Sequence, residues 1–137
     1  IEGTETVTIT GLTKESGDAV ISVDVDNASL DITDDDSGTV SIAKITDGAE
    51  TATPSAGQFR VTQSGASSID TVLSYTVGGT AVSDSDYTAL SGSVTISAGS
   101  MSAEIDVTVL GDDLIEGTET VTITGLTKES LTVRVWT

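Results

Sequence analysis

The sequence predicts an all-β protein built as an antiparallel β-sandwich, and three observations carry that prediction. Short runs alternate polar and apolar residues with a period of two. β-Branched residues fill those runs, and Gly-containing turns separate them. No segment shows a helical period, and many short strands bounded by turns are the pattern of a sandwich.

From the N-terminus, residues 6–10 (TVTIT) alternate so that Val7 and Ile9 share one face and the threonines the other. The same alternation predicts strands at 29–33 (SLDIT), 39–42 (TVSI), 58–62 (QFRVT), 93–97 (SVTIS), 104–109 (EIDVTV) and 120–124 (TVTIT). Residues 71–77 (TVLSYTV) are more apolar and fit a central strand. Gly-Gly at 78–79, Ser-Gly at 91–92, Ala-Gly at 98–99 and Gly-Asp-Asp at 111–113 mark turns.

A letter-perfect repeat sets the domain frame. IEGTETVTITGLTKES occupies residues 1–16 and again 115–130, a spacing of 114 residues. That period is one sandwich, not a small solenoid unit. Residues 1–36 therefore read as the last two strands of a preceding repeat, and 37–130 as a sandwich unit. Residues 131–137 (LTVRVWT) alternate like a strand but differ from GDAVISV, the seven residues after the first copy. They read as a divergent final strand or an appended tail.

The chain of 137 residues carries 22 Asp and Glu against 5 Lys and Arg, a formal charge of −17. Phosphate contacts need a basic surface, so nucleic acid is excluded as a partner, and docking on anionic lipid with it. No membrane-spanning run is visible. There is no Cys and no His. Oxygen is the ligand type on offer, which disfavours zinc and suits hard cations such as calcium. A nucleophilic triad of the usual kind has no base. The four aromatics, Phe59, Tyr75, Tyr87 and Trp136, are too few to line a sugar cleft. The expectation is a non-enzyme, with Tyr87 anchoring a loop.

The acids converge if three successive strands, near 103–110, 118–124 and the last of the unit, form a meander. The first and third then run the same way, so the turn before the middle strand meets the end of the third. That brings Glu2 and Glu5 to the pole of Asp34, Asp35 and Asp36, and puts Asp112, Asp113, Glu116 and Glu119 at the matching pole of the next unit. Each close pair of like charges costs on the order of 1 kcal/mol in water. Calcium, which takes six to eight oxygens, would relieve that cost; an acidic loop left to solvent is the other reading. No stretch matches an EF-hand loop.

Residues 79–126, GTAVSDSDYTALSGSVTISAGSMSAEIDVTVLGDDLIEGTETVTITGL, resemble a Calx-beta domain. The resemblance rests on GTA-x-x-x-x-DY, SG-x-V-x-I-x-x-G and D-x-x-x-EG-x-E. ITDDD at 32–36 is similar to the end of that family's last strand, and SGTVSIA at 37–43 to the start of a tandem copy. The resemblance implies a seven-stranded sandwich of immunoglobulin-like topology with Ca²⁺ at the pole where each domain exits. It implies as ligands Asp86, Asp112, Asp113, the main-chain carbonyl of Leu114, Glu116 and Glu119, with Asp34, Asp35, Asp36, Glu2 and Glu5 as the preceding unit's set. One departure stands out. Pro54 occupies a place where many members carry an acid, and Glu50 is nearby but out of register. That departure implies fewer or weaker ions.

The resulting expectation is a calcium-binding structural repeat of an extracellular, bacterial-type surface protein, stiffened as a tandem rod by Ca²⁺ between neighbouring repeats. An adhesion module for a glycan or protein, or a calcium-sensing regulatory domain, are the alternatives. A strand-exchanged homodimer is a further expectation, in which residues 1–36 of one copy complete the sandwich of another.

Overall fold

The computed structural model describes residues 1–129, which form eight β-strands and no helix. The chain divides into two units, Ile1–Ser37 and Gly38–Thr137.

The first unit is a two-stranded antiparallel pair. Strand β1 (Glu5–Ile9) lies against β2 (Ala28–Ile32), in a register that runs from Glu5 opposite Ile32 to Ile9 opposite Ala28. The ladder continues loosely where the Leu12 N–H donates to the Asp26 carbonyl (3.1 Å). Asp18 organises the connection: its Oδ1 accepts from the Val20 N–H (3.0 Å), and its carbonyl accepts from Lys14 Nζ (2.7 Å). Alternation gives the pair an apolar face, but Val7, Ile9, Leu30 and Ile32 all remain exposed. Two strands alone cannot cover such a face, and an isolated pair of this kind is marginal in water.

The second unit holds two three-stranded sheets. One has the order β3 (Val40–Thr46), β4 (Gly57–Gln63), β7 (Ser102–Val107). The other has the order β6 (Ser93–Ile96), β5 (Thr71–Gly78), β8 (Thr122–Lys128). All pairings are antiparallel, with bulges between Lys44 and Thr46 and between Ser74 and Thr76. The inward residues follow the period of two: Val61 on β4, Leu73 and Tyr75 on β5, Ile96 on β6 and Ile105 on β7 make the core. Val61, Leu73 and Ile96 are fully buried, each worth roughly 1.5–3 kcal/mol. The outer face of β4 and β7 is polar. There Arg60 Nη2 meets Glu104 Oε1 at 2.6 Å, and Gln58 Nε2 donates to Glu104 and Asp106.

The fold is the predicted all-β antiparallel sandwich. Six strands of the second unit lie among the described residues; the segment 131–137, with Trp136, lies outside them. The meander is corrected. Strands β7 and β8 are not neighbours, because β7 pairs with β4 and β8 with β5. Residues 108–121 therefore cross from one sheet to the other. Alternation tells which face of a strand is apolar, and both sheets of a sandwich offer the same answer.

Strand β8 also starts two residues later than its alternation predicts, at Thr122 rather than 120. The ladder with β5 ends at Gly78 opposite Thr122, and side chains carry it on. The Thr120 N–H donates to Thr80 Oγ1 (2.9 Å), the Thr80 N–H to Thr120 Oγ1 (3.2 Å), and the Ala81 N–H to the Thr120 carbonyl (3.0 Å). Gly79 makes this approach possible. Its φ is 111°, and a Cβ there would run into the Thr120 carbonyl.

Candidate metal centre

Asp86 ends a tight turn closed by local bonds. The Val82 N–H donates to Asp86 Oδ2 (2.5 Å), and the Asp86 N–H returns to the Val82 carbonyl (2.9 Å). Asp84 takes a left-handed φ of 65°, which Asp tolerates, and its Oδ1 accepts from the Ala89 N–H (3.1 Å). Tyr87 is buried and forms a bridge with Val109. The Leu110 N–H donates to the Asp86 carbonyl, and the Thr88 N–H to the Thr108 carbonyl, both at 2.9 Å. The turn is thus fastened to the exit of β7, and Tyr87 is the anchor.

Glu116 and Glu119 come from the crossover 108–121. Glu119 is held in place by the Thr120–Thr80 bonds beside it. One carboxylate oxygen from each of Asp86, Glu116 and Glu119 lies within 4.8 Å of the others. Asp86 is half-buried and the two glutamates are exposed. Desolvation, followed by the charges of Asp86, Asp112 and Glu50, raises the Glu116 carboxyl above its ordinary value. Glu119 is raised first by a hydrogen bond with the Asp86 carboxyl, then by desolvation and by the charges of Asp86, Glu116 and Glu50. Carboxylates that hold on to protons in this way are short of positive charge. Among the described residues no Lys or Arg pairs with them; Lys44 is bound to Asp47 and Arg60 to Glu104.

The remaining expected ligands fall into two places. Asp112 lies beside the cluster: its charge acts on Glu116, and its Oδ1 accepts from the Leu114 N–H (2.6 Å) in a local turn. Asp113 and Leu114 sit on the exposed part of the same loop. In the first unit, Asp34, Asp35 and Asp36 form a separate group with one oxygen each within 4.8 Å. The N–H groups of Glu2 and Asp36 both donate to Asp34, and these bonds, the Glu2 bond first, hold its carboxyl below the ordinary range. Glu2 thus joins that group through its backbone. Glu5 stands opposite Ile32 in the ladder, and neither carboxylate belongs to the group of three.

Glu50 is the residue that the sequence pattern leaves out of register. Its Oε1 accepts from the Asp112 N–H (2.8 Å), and its charge acts on both Glu116 and Glu119. The Ala49–Ser55 bridge closes a short loop that turns Glu50 to this pole. Counting back from the next strand could not find it, because the Ala49–Ser55 bridge, not strand register, sets where the loop puts Glu50.

The donor set fits a hard divalent cation. It consists of carboxylates with no nitrogen or sulfur, drawn from loops at one end of a sandwich, with mutual repulsion that a cation would remove. Fold and donors together define a β-sandwich with an acidic pole. The Calx-beta domain family model matches residues 33–131, and the chain belongs to that family. Compared with curated proteins and with solved structures, the chain matches none. Calx-beta is a non-enzymatic domain family for which calcium is the expected ion.

Proposed function

We propose that this protein is a calcium-binding structural repeat of an extracellular surface protein, with no catalytic role. The observation that carries the reading is the meeting of Asp86, Glu116 and Glu119 within 4.8 Å, with both glutamates raised by their neighbours. Asp86 and Glu119 would hold the ion with Glu116, Asp112 and Glu50 completing the charge, and Asp34–Asp36 offer a second group. Bound Ca²⁺ would supply positive charge and tie the 82–88 turn, the 49–55 loop and the 108–121 crossover into one rigid end. In a tandem array such ends would stiffen the chain into a rod. Among the described residues no helix is long and apolar enough to cross a membrane.

Calcium titration by calorimetry, with thermal melts in calcium and in chelator, tests this. A ligand at about 100 times its Kd adds about 2.7 kcal/mol to the folded state. For a unit of this size that raises Tm by roughly 10–20 °C. Equal melting temperatures with and without calcium, and no heat of binding, would leave only a solvated acidic pole.

A further inference from the structure

The repeated sequence is paired differently in its two copies. In the first, ETVTI is strand β1, and ASLDI of β2 lies along it, with Val7 opposite Leu30 and Ile9 opposite Ala28. In the second, the same five residues, Glu119–Ile123, lead into β8 and face β5. Both the N–H and the carbonyl of Thr120 point to the β5 side, where they meet Thr80 and Ala81. Successive residues of a strand point to opposite edges, so Glu119, Val121 and Ile123 present their backbone groups on the other edge. Among the described residues no strand pairs there.

Among the described residues, nothing covers the sandwich beside that edge. A groove of about 270 Å³ runs between the edge strands β3 and β8, lined by Ile42, Lys44, Phe59, Val121 and Ile123. Removing a leucine side chain from a packed core leaves roughly 150 Å³, so the groove has room for about two aliphatic side chains. In the register of β1 with β2, Leu30 would face Val121 and Ala28 would face Ile123, and Leu30 is exposed where it now lies.

We propose that β2 of one chain adds to the Glu119–Ile123 edge of a second copy and seats Leu30 in its groove, with Ala28 beside it. The occupant is argued from the chain's own pairing: the sequence of that edge already binds ASLDI in a defined register. Backbone bonds are exchanged for the same bonds to the same sequence, while the burial of Leu30, Val121 and Phe59 is gained. Reciprocal exchange closes two chains into a dimer.

The chain has no cysteine, so single substitutions give a clean trap. Antiparallel partners have Cα atoms about 4.5–5.5 Å apart, within disulfide range. Chains carrying Leu30→Cys and Val121→Cys are mixed at about 0.15 M salt, where repulsion is screened beyond about 8 Å, and oxidised mildly. A second pair, Ala28→Cys with Ile123→Cys, guards against one substitution disturbing its strand. The control pairs Leu30→Cys with Ile69→Cys, an exposed position in the loop between β4 and β5, at the far end of the ladder from Thr122. Mixed disulfide in at least one test pair, about tenfold or more above the control, is the expected result. Both pairs at the control level overturn the exchange.

Discussion

At the scale of single residues, the cluster is held by backbone geometry and strained by charge. Asp86 is placed by the 82–87 turn and Glu119 by its threonine neighbour, so neither moves far to relieve the other. Glu119→Gln removes one charge and keeps the shape. It should weaken calcium binding by roughly tenfold or more, since the ligand charge count tunes affinity. The same substitution should leave the calcium-free Tm unchanged or slightly higher, because a repulsion is lost. Calorimetry and melts in chelator read the two effects separately. A calcium-free Tm that falls sharply would mean that Glu119 supports the fold by some other contact.

Proton linkage gives a second residue-scale expectation. Glu116 and Glu119 have folded values above their ordinary 4.5. The folded state therefore binds more protons than the unfolded one between 4.5 and the raised values. Their contribution favours folding at low pH and is lost as pH rises through that window. Asp34 works in the opposite sense: its folded value lies below 3.8, so its contribution is present above 3.8 and lost as pH falls through the lowered value. Protons and calcium compete for the two glutamates, so calcium affinity should fall as pH drops into their window. Titrations at neutral pH and near pH 5 check this, and equal affinities would remove the glutamates from the ion's shell.

Among the elements, the repeat is an internal control. Ile9 and Ile123 occupy the same place in identical sequences, yet Ile9 is 66% exposed while Ile123 packs against the core. Ile123→Ala should cost about 2–3 kcal/mol, near the low end for a partly buried isoleucine, and Ile9→Ala a few tenths. Urea unfolding of the two variants measures the difference, and equal losses would mean that β1 is buried as deeply as β8. The two copies also mark the reach of pattern reading. Period-two alternation placed every described strand to within a few residues, because a half-buried pleat demands it. It could not say which sheet took β8, nor that Gly79 and the Thr80–Thr120 bonds would move its start. Glu50 escaped for a related reason, since a loop closed by the Ala49–Ser55 bridge follows backbone bonding rather than register. The grouping of Asp86 with Glu116 and Glu119 was readable only through a family pattern, because it joins loops that are far apart in the chain and close in space.

For the whole molecule, a charge of −17 on 137 residues means that the folded chain works against its own field. Two remedies exist, and they leave different signatures. General screening acts on every pair of carboxylates; raising salt from about 0.01 to 0.15 M shortens the Debye length from about 30 to 8 Å. Bound calcium acts only where carboxylates converge. In chelator, Tm should therefore climb with salt over that range. With calcium saturating, the climb should be shallower, because the densest repulsion, around Asp86, Glu116 and Glu119, has already been removed. Melts along a salt series in both conditions test this. If the two slopes are the same, calcium does not relieve the repulsion at this pole, and the spread-out charge elsewhere on the surface governs stability. If Tm does not move with salt even in chelator, self-repulsion is too small to have shaped the acidic pole at all.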